Sequence, residues 1–110
     1  MQVKLTAKGR RSGEPRTVTL FAWPDGDAFA IVGSRGGTNV DPAWAANLRV
    51  HPEATLQVDG TESRVRAREV SGAERERLWA LAAAGFPLYE TYRRRTSRTI
   101  PVFLLEPAND

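Results

Sequence analysis

Cysteine is absent from this chain, histidine and methionine occur once each, and lysine only twice. Without cysteine there is no disulfide, no thiolate nucleophile and no zinc–thiolate site. His51 alone cannot form a histidine metal cluster, so no metal is expected. With Pro52 after it and no acid or base beside it, His51 reads as a helix-end residue. Long apolar runs are missing too: none approaches the roughly 20 residues of a membrane span, and no secretory leader pattern opens the sequence. What remains is a 110-residue chain, 41% hydrophobic and 26% charged, the composition of an ordinary globular protein. Its size suits one domain over residues 1–110, with about a third of the unfolded chain's surface still exposed after folding.

The scarcity of lysine gives the charge its character. The net charge of +3 comes from fourteen arginines and two lysines against thirteen acids, and the planar guanidinium fork suits phosphate and carboxylate. The surplus gathers near the start, where Lys4, Lys8, Arg10, Arg11 and Arg16 face only Glu14. In KGRRSGEPR, residues 8–16, two glycines, a serine and a proline dictate a loop. Backbone N–H groups in such a turn can form a concave anion nest. Arg10, Arg11 and Arg16 would add charge-assisted hydrogen bonds of about 1.5–3 kcal/mol each. This is the best phosphate-site candidate in the chain, and the alternative is a solvated basic face. It is not a P-loop, whose lysine and hydroxyl spacing is missing. Nucleic acid is not an expected partner, because acidic residues are interspersed among the other arginines.

The second informative stretch is residues 31–48, IVGSRGGTNVDPAWAANL, which runs from an apolar strand through a glycine-rich turn into a helix. Gly33, Gly36 and Gly37 free the backbone to approach a ligand closely, with Ser34 and Arg35 among them. Asp41 reads as the helix N-cap and Pro42 as its first residue. Trp44, Asn47 and Leu48 then share a helical face. Two readings stand: a ligand-binding turn, or a tight turn packed under a core tryptophan.

Around these stretches, alternation predicts strands over residues 2–6, 16–23, 27–33, 54–58 and 63–70. In RTVTLFAW, Val18, Leu20 and Ala22 face one way and Thr17, Thr19, Phe21 and Trp23 the other, as in a barrel wall with bulk on both sides. Pro24, Asp25 and Gly26 turn this strand back on the next as a hairpin, and Asp59-Gly60 marks another. Arg64, Arg66 and Arg68 alternate with Val65 and Ala67 and read as a solvated strand face. Ser71 and Glu74 fit a capping box, opening a helix that ends at Gly85. Phe86, Tyr89 and Tyr92 fall in a row along a short helix after Pro87, either a ligand wall or an aromatic seam closing the core. The unbroken apolar run over residues 100–105 suits a strand buried on both faces. The fold class is α+β, a small barrel of about six mostly antiparallel strands with two or three helices; an open sandwich is the alternative.

Taken in order, GRRSGEPR, a strand ending in GSRGG, DPAWAANLRVHPE, YETYRRRTSRTIPV and a closing LEP resemble the deazaflavin-dependent nitroreductase family over residues 5–107. The resemblance implies a split β-barrel of the FMN-binding-like kind that uses coenzyme F420, a flavin-like hydride carrier with a phosphate and an oligoglutamate tail. It puts the phosphate near Arg10, Arg11 and Ser12, with Arg16 in support. The ring system would lie against Gly33, Ser34, Arg35, Gly36 and Gly37, beside Trp44 and Asn47. Substrate would be walled by Phe21, Ser34, Phe86, Tyr89 and Tyr92, with the proton drawn from Tyr89, Tyr92, Ser34 or solvent. No catalytic dyad is required, because the cofactor carries the reactive atom.

The implied activity is that of an F420H2-dependent reductase, passing hydride to an electron-poor double bond of an enone, a quinone or a nitro compound. Nitroreductase members carry tyrosine where Phe21 and Phe86 stand and tryptophan where Arg95 stands, which turns the expectation away from nitroimidazoles. A barrel that binds FMN, haem or a fatty acid without turnover is the alternative. Those members also carry an N-terminal apolar or amphipathic extension, and without one this chain is expected to be cytoplasmic. A small-molecule substrate and a monomer or homodimer complete the expectation.

Overall fold

The computed structural model describes residues 1–108. Strands β1 (Gln2–Lys8), β2 (Pro15–Phe21), β3 (Trp23–Asp25), β4 (Ala28–Val32), β5 (Glu53–Val58), β6 (Thr61–Glu69) and β7 (Val102–Pro107) form one sheet in the order β2-β1-β5-β6-β7-β4-β3. Every pairing in it is antiparallel. Helix α1 (Ala43–Val50) follows β4, while α2 (Gly72–Gly85) and α3 (Leu88–Arg95) lie between β6 and β7.

Seven strands stand where about six were expected, because residues 16–23 are not one strand. β2 stops at Phe21 and β3 starts at Trp23, so two consecutive segments occupy opposite edges of the sheet. The sheet must therefore curl until its edges meet. The corner is Ala22, fully buried, whose N–H donates to Met1 O at 2.8 Å and whose carbonyl accepts from the Met1 amino group at 3.1 Å. This closure is that of the expected split β-barrel. The hairpin expected between residues 16–23 and 27–33 is confined to β3 and β4, and β2 pairs with β1 instead.

Two apolar clusters occupy the two sides of the sheet. One gathers Leu5, Ile31, Leu56, Phe103 and Leu105 with Ala45 and Leu48 of α1. The other gathers Ala30, Val32, Val102 and Leu104 with Leu78, Trp79 and Ala82 of α2 and Tyr89 of α3. Alternate residues of β7 thus serve different cores, which is why the apolar run there has no polar face. Fully burying each large side chain contributes about 1.5–3 kcal/mol.

On β6 the outward arginines are solvated but paired. Arg66 meets Glu53, and Arg68 forks onto Glu74 at 2.7 and 2.9 Å while reaching Glu106 at 3.1 Å. Glu74 is thereby drawn away from Ser71, which occupies the N-cap of α2 without a side-chain capping bond, so no capping box forms. Asp41 is not the cap of α1 either. Pro42 holds that place, and Asp41 instead accepts from Arg49 at 2.9 Å and Arg98 at 2.6 Å. Asp59 and Gly60, at φ of 50° and 82°, make the two-residue left-handed turn that joins β5 to β6.

Candidate functional site

The loop joining β1 to β2, residues 9–14, closes on itself. Gly9 N–H donates to Glu14 O at 2.8 Å, Gly13 N–H to Gly9 O at 2.9 Å, and Glu14 N–H to Ser12 Oγ at 3.1 Å. Ser12 therefore accepts within the loop and keeps its hydroxyl proton for another partner. The loop is moored to α1 through Asn47, a buried amide whose Oδ1 accepts from the Arg10 backbone N–H at 3.0 Å and Arg10 Nη1 at 3.2 Å. Arg49, Arg66, Arg68, Arg77 and Arg98 all pair with carboxylates. Arg11 and Arg16 have no such partner among the described residues. A cleft of about 420 Å³ opens beside them, lined by Gly9, Arg10, Arg11, Ser12 and Arg16 together with Leu5, Ala7, Thr17, Val18, Ala43, Trp44 and Asn47. It is apolar along the strands and cationic along the loop.

A second cleft of about 460 Å³ shares Val18 and Trp44 with the first, so the two adjoin at these residues. Its other lining residues are Gln2, Thr19, Leu20, Phe21, Val32, Ser34, Arg35, Pro42, Phe86 and Tyr89. Trp44, at the junction, is held edge-on to Phe103 with centroids 5.8 Å apart. The expected aromatic row exists: Phe86 stands 4.8 Å from Tyr89, 6.2 Å from Tyr92 and 5.6 Å from Phe21. Both readings of it are met in part. Phe21, 41% exposed, is wall, whereas Tyr89, 4% exposed, is core seam with one edge on the cleft. The Tyr89 hydroxyl accepts a long hydrogen bond from Trp23 Nε1 at 3.4 Å, which leaves its own O–H free to donate. Burial raises its pKa above the ordinary phenol value, so the hydroxyl stays protonated at neutral pH.

The glycine-rich turn is used differently from the expectation. A Cβ on Gly33 would sit 2.7 Å from Pro101, and one on Gly37, at φ 80°, would sit 3.0 Å from the Tyr92 backbone. Both glycines serve close packing of the chain on itself. Gly36, at φ 66°, faces open space. Ser34 and Arg35 line the aromatic cleft, while Gly33, Gly36, Gly37 and Tyr92 line neither. Arg10, Arg11, Ser12, Arg16, Trp44 and Asn47 come together in the cationic cleft, and Phe21, Ser34, Arg35, Phe86 and Tyr89 in the other. Gln2, Thr19 and Pro42 are lining residues to which the sequence had given no role in the site. Among the described residues, no group of three or more metal-ligating side chains comes together.

Known proteins are similar to this chain in sequence and fold. Residues 1–107 match the F420H(2)-dependent quinone reductase family. An F420H(2)-dependent quinone reductase of Mycobacterium tuberculosis (strain ATCC 25618 / H37Rv) is 36% identical over 104 residues, 92% of this chain and 70% of that protein. The structure of an F420-H2 dependent reductase superposes with a TM-score of 0.89 at 36% identity, covering 96% of this chain and 93% of the other. A heme storage protein of Vibrio cholerae, 14% identical with a TM-score of 0.63 over 99% of this chain and 82% of its own, shares the fold alone. With the match spanning both clefts and nearly every strand that builds them, this chain belongs to the F420H(2)-dependent quinone reductase family.

Proposed function

We propose that this protein is an F420H2-dependent reductase that delivers hydride to a quinone, with other electron-poor double bonds as further acceptors. One observation carries the reading: two adjoining clefts share Trp44 and Val18, one holding guanidinium groups without acid partners among the described residues and the other an aromatic wall. That shape and charge fit an elongated acidic cofactor with a flat head better than haem or a fatty acid, and the family match favours F420 over FMN. When bound, F420H2 supplies the hydride, and the protein binds, orients and excludes water.

Arg11, Arg16 and the Ser12 hydroxyl hold the phosphate, and Arg10, fixed on Asn47, adds its remaining N–H donors. Trp44 and Val18 support the ring where the two clefts meet, with Ser34 and Arg35 across from them. Gly33, Gly36 and Gly37 act from behind, by letting the turn pack closely and adopt left-handed angles. Phe21 and Phe86 wall the acceptor with apolar surface, and Tyr92 backs that wall. Reducing a quinone takes one hydride and one proton. Tyr89, protonated and with its O–H free, is the preferred donor, with Ser34 and solvent as the other sources. We place the protein in the cytoplasm as a monomer or homodimer. No helix among the described residues is long and apolar enough to cross a membrane, and one structure 36% identical to this chain is a domain-swapped dimer.

The test is anaerobic turnover: reduced F420 mixed with the protein and a series of quinones and enones, followed by the absorbance of the oxidised cofactor. Acceptor-dependent oxidation is expected. Tight binding with no oxidation by any acceptor would make this a binding barrel and not an enzyme.

A further inference from the structure

Arg98 lines neither cleft, yet it is the most heavily bonded side chain behind the glycine-rich turn. Its side chain is 14% exposed. Nη2 donates to Gly33 O at 3.1 Å and Ser34 O at 2.8 Å, Nε to Thr38 O at 2.7 Å, and Nη1 to Asp41 Oδ1 at 2.6 Å. One planar fork thus grips the turn at its entry and its exit. Thr96, on the same segment after α3, adds a hydrogen bond to Asn39 at 2.9 Å. Within the clamp Arg35 is held at φ 45°, an angle few residues other than glycine adopt.

The consequence lies in the peptide planes. There is no cis bond among the described residues, and across a planar trans peptide the C=O and the following N–H point in opposite directions. Drawing the carbonyls of Gly33 and Ser34 toward Arg98 therefore turns the N–H groups of Ser34 and Arg35 away from it. In this turn the N–H groups of Gly33, Gly37 and Thr38 have backbone acceptors, and those of Ser34, Arg35 and Gly36 have none among the described residues. Ser34 and Arg35 are also the two turn residues that line the aromatic cleft.

We propose that Arg98 is a positioning residue: by holding two carbonyls from behind, it presents the Ser34 and Arg35 amides to the aromatic cleft as fixed donors for an electron-rich atom of a flat ring. Donors set before the ligand arrives need no reorganisation when it binds, so the gain is in affinity and alignment. Lysine cannot replace this arginine, because a single ammonium on a flexible stem does not span four acceptors in one plane. Identifying the ring as a deazaflavin rests on the function proposed above.

The experiment compares wild-type protein with R98K, R98M and R11A. Amide hydrogen exchange without cofactor should show residues 33–41 exchanging at least several-fold faster in R98K, with the sheet unchanged. Fluorescence titrations then use intact F420 and the deazaflavin riboside lacking phosphate and tail. R98K should weaken both by about tenfold, leaving their ratio as in wild type, and R98M should do so more strongly. R11A should weaken only the intact cofactor. Should R98M fail to fold, R98K decides. Unchanged exchange in R98K, or unchanged riboside affinity, would overturn the proposal. If wild-type protein bound neither ligand, the cofactor reading would fall and the exchange measurement alone would decide what Arg98 does.

Discussion

Arg11 and Arg66 look alike in the sequence, and only their neighbours separate them. Arg66 is exposed and meets Glu53 on the adjacent strand, while Arg11 lines the cationic cleft with no acid partner among the described residues. Replacing Arg11 with alanine should therefore weaken F420 binding far more than R66A does. Equal losses would move the anion site away from the β1–β2 loop. Asn47 makes a sharper case, since its buried Oδ1 ties that loop to α1 through two hydrogen bonds from Arg10. An N47L variant should lose about 1–3 kcal/mol in urea unfolding, the cost of leaving the Arg10 amide without its acceptor, and should bind cofactor more weakly. Y89F should keep cofactor affinity and lower quinone turnover by about 10²-fold; unchanged turnover would assign the proton to Ser34 or solvent. At this scale the sequence marked the clefts well where residue type is distinctive, as with Trp44, Phe86 and the basic loop. It could not mark Arg98, one of four arginines within six positions of α3 and its tail, because only the tertiary fold brings the turn over it.

Among the elements, six of the seven strands and all three α-helices fall where the sequence placed them, and errors fell at ends and connections. RTVTLFAW alternates throughout, yet the fold breaks it at Ala22, since closing the sheet requires one run to reach both edges. Nothing local signals that demand. The two caps failed for one shared reason. Asp41 and Glu74 are good local acceptors, but Arg98, Arg49 and Arg68 reach them from distant positions and offer charge-assisted bonds that outweigh a cap. The packing of α2 against β3 offers an element-scale prediction. A Cβ on Gly85 would fall 2.2 Å from the Trp23 ring, and Trp23 in turn contacts Phe21 and Tyr89. G85A should lower stability by about 1–3 kcal/mol through overpacking and disturb the aromatic cleft, visible as altered tryptophan fluorescence. A G85A protein with wild-type stability and emission would contradict the close α2–β3 contact.

For the molecule as a whole, the distribution of charge governs both stability and function. Several carboxylates on the outer surface are matched to arginines: Asp25 is held below its usual pKa by hydrogen bonds from Arg77, and Glu74 by those from Arg68, while Glu53 is lowered by its own backbone N–H and then by Arg66. Groups with depressed folded-state values stabilise the fold above their unfolded values and lose that contribution as pH falls through the folded ones. Tyr89, raised by burial, behaves oppositely and withdraws its contribution only as pH climbs above about 10. Thermal melting should accordingly be flat from about pH 6 to 9 and fall below about pH 4.5. A melting temperature that rose on acidification would contradict these pairings. Arg11 and Arg16 are among the arginines without a carboxylate partner in the described residues, and they line the cleft that adjoins the aromatic one. The most direct measurement is a titration of oxidised F420 with the protein, followed by cofactor fluorescence at low and high salt. Quenching with micromolar or tighter affinity, weakened by salt and by R11A, is the predicted result, and fluorescence unchanged at tens of micromolar protein would contradict it.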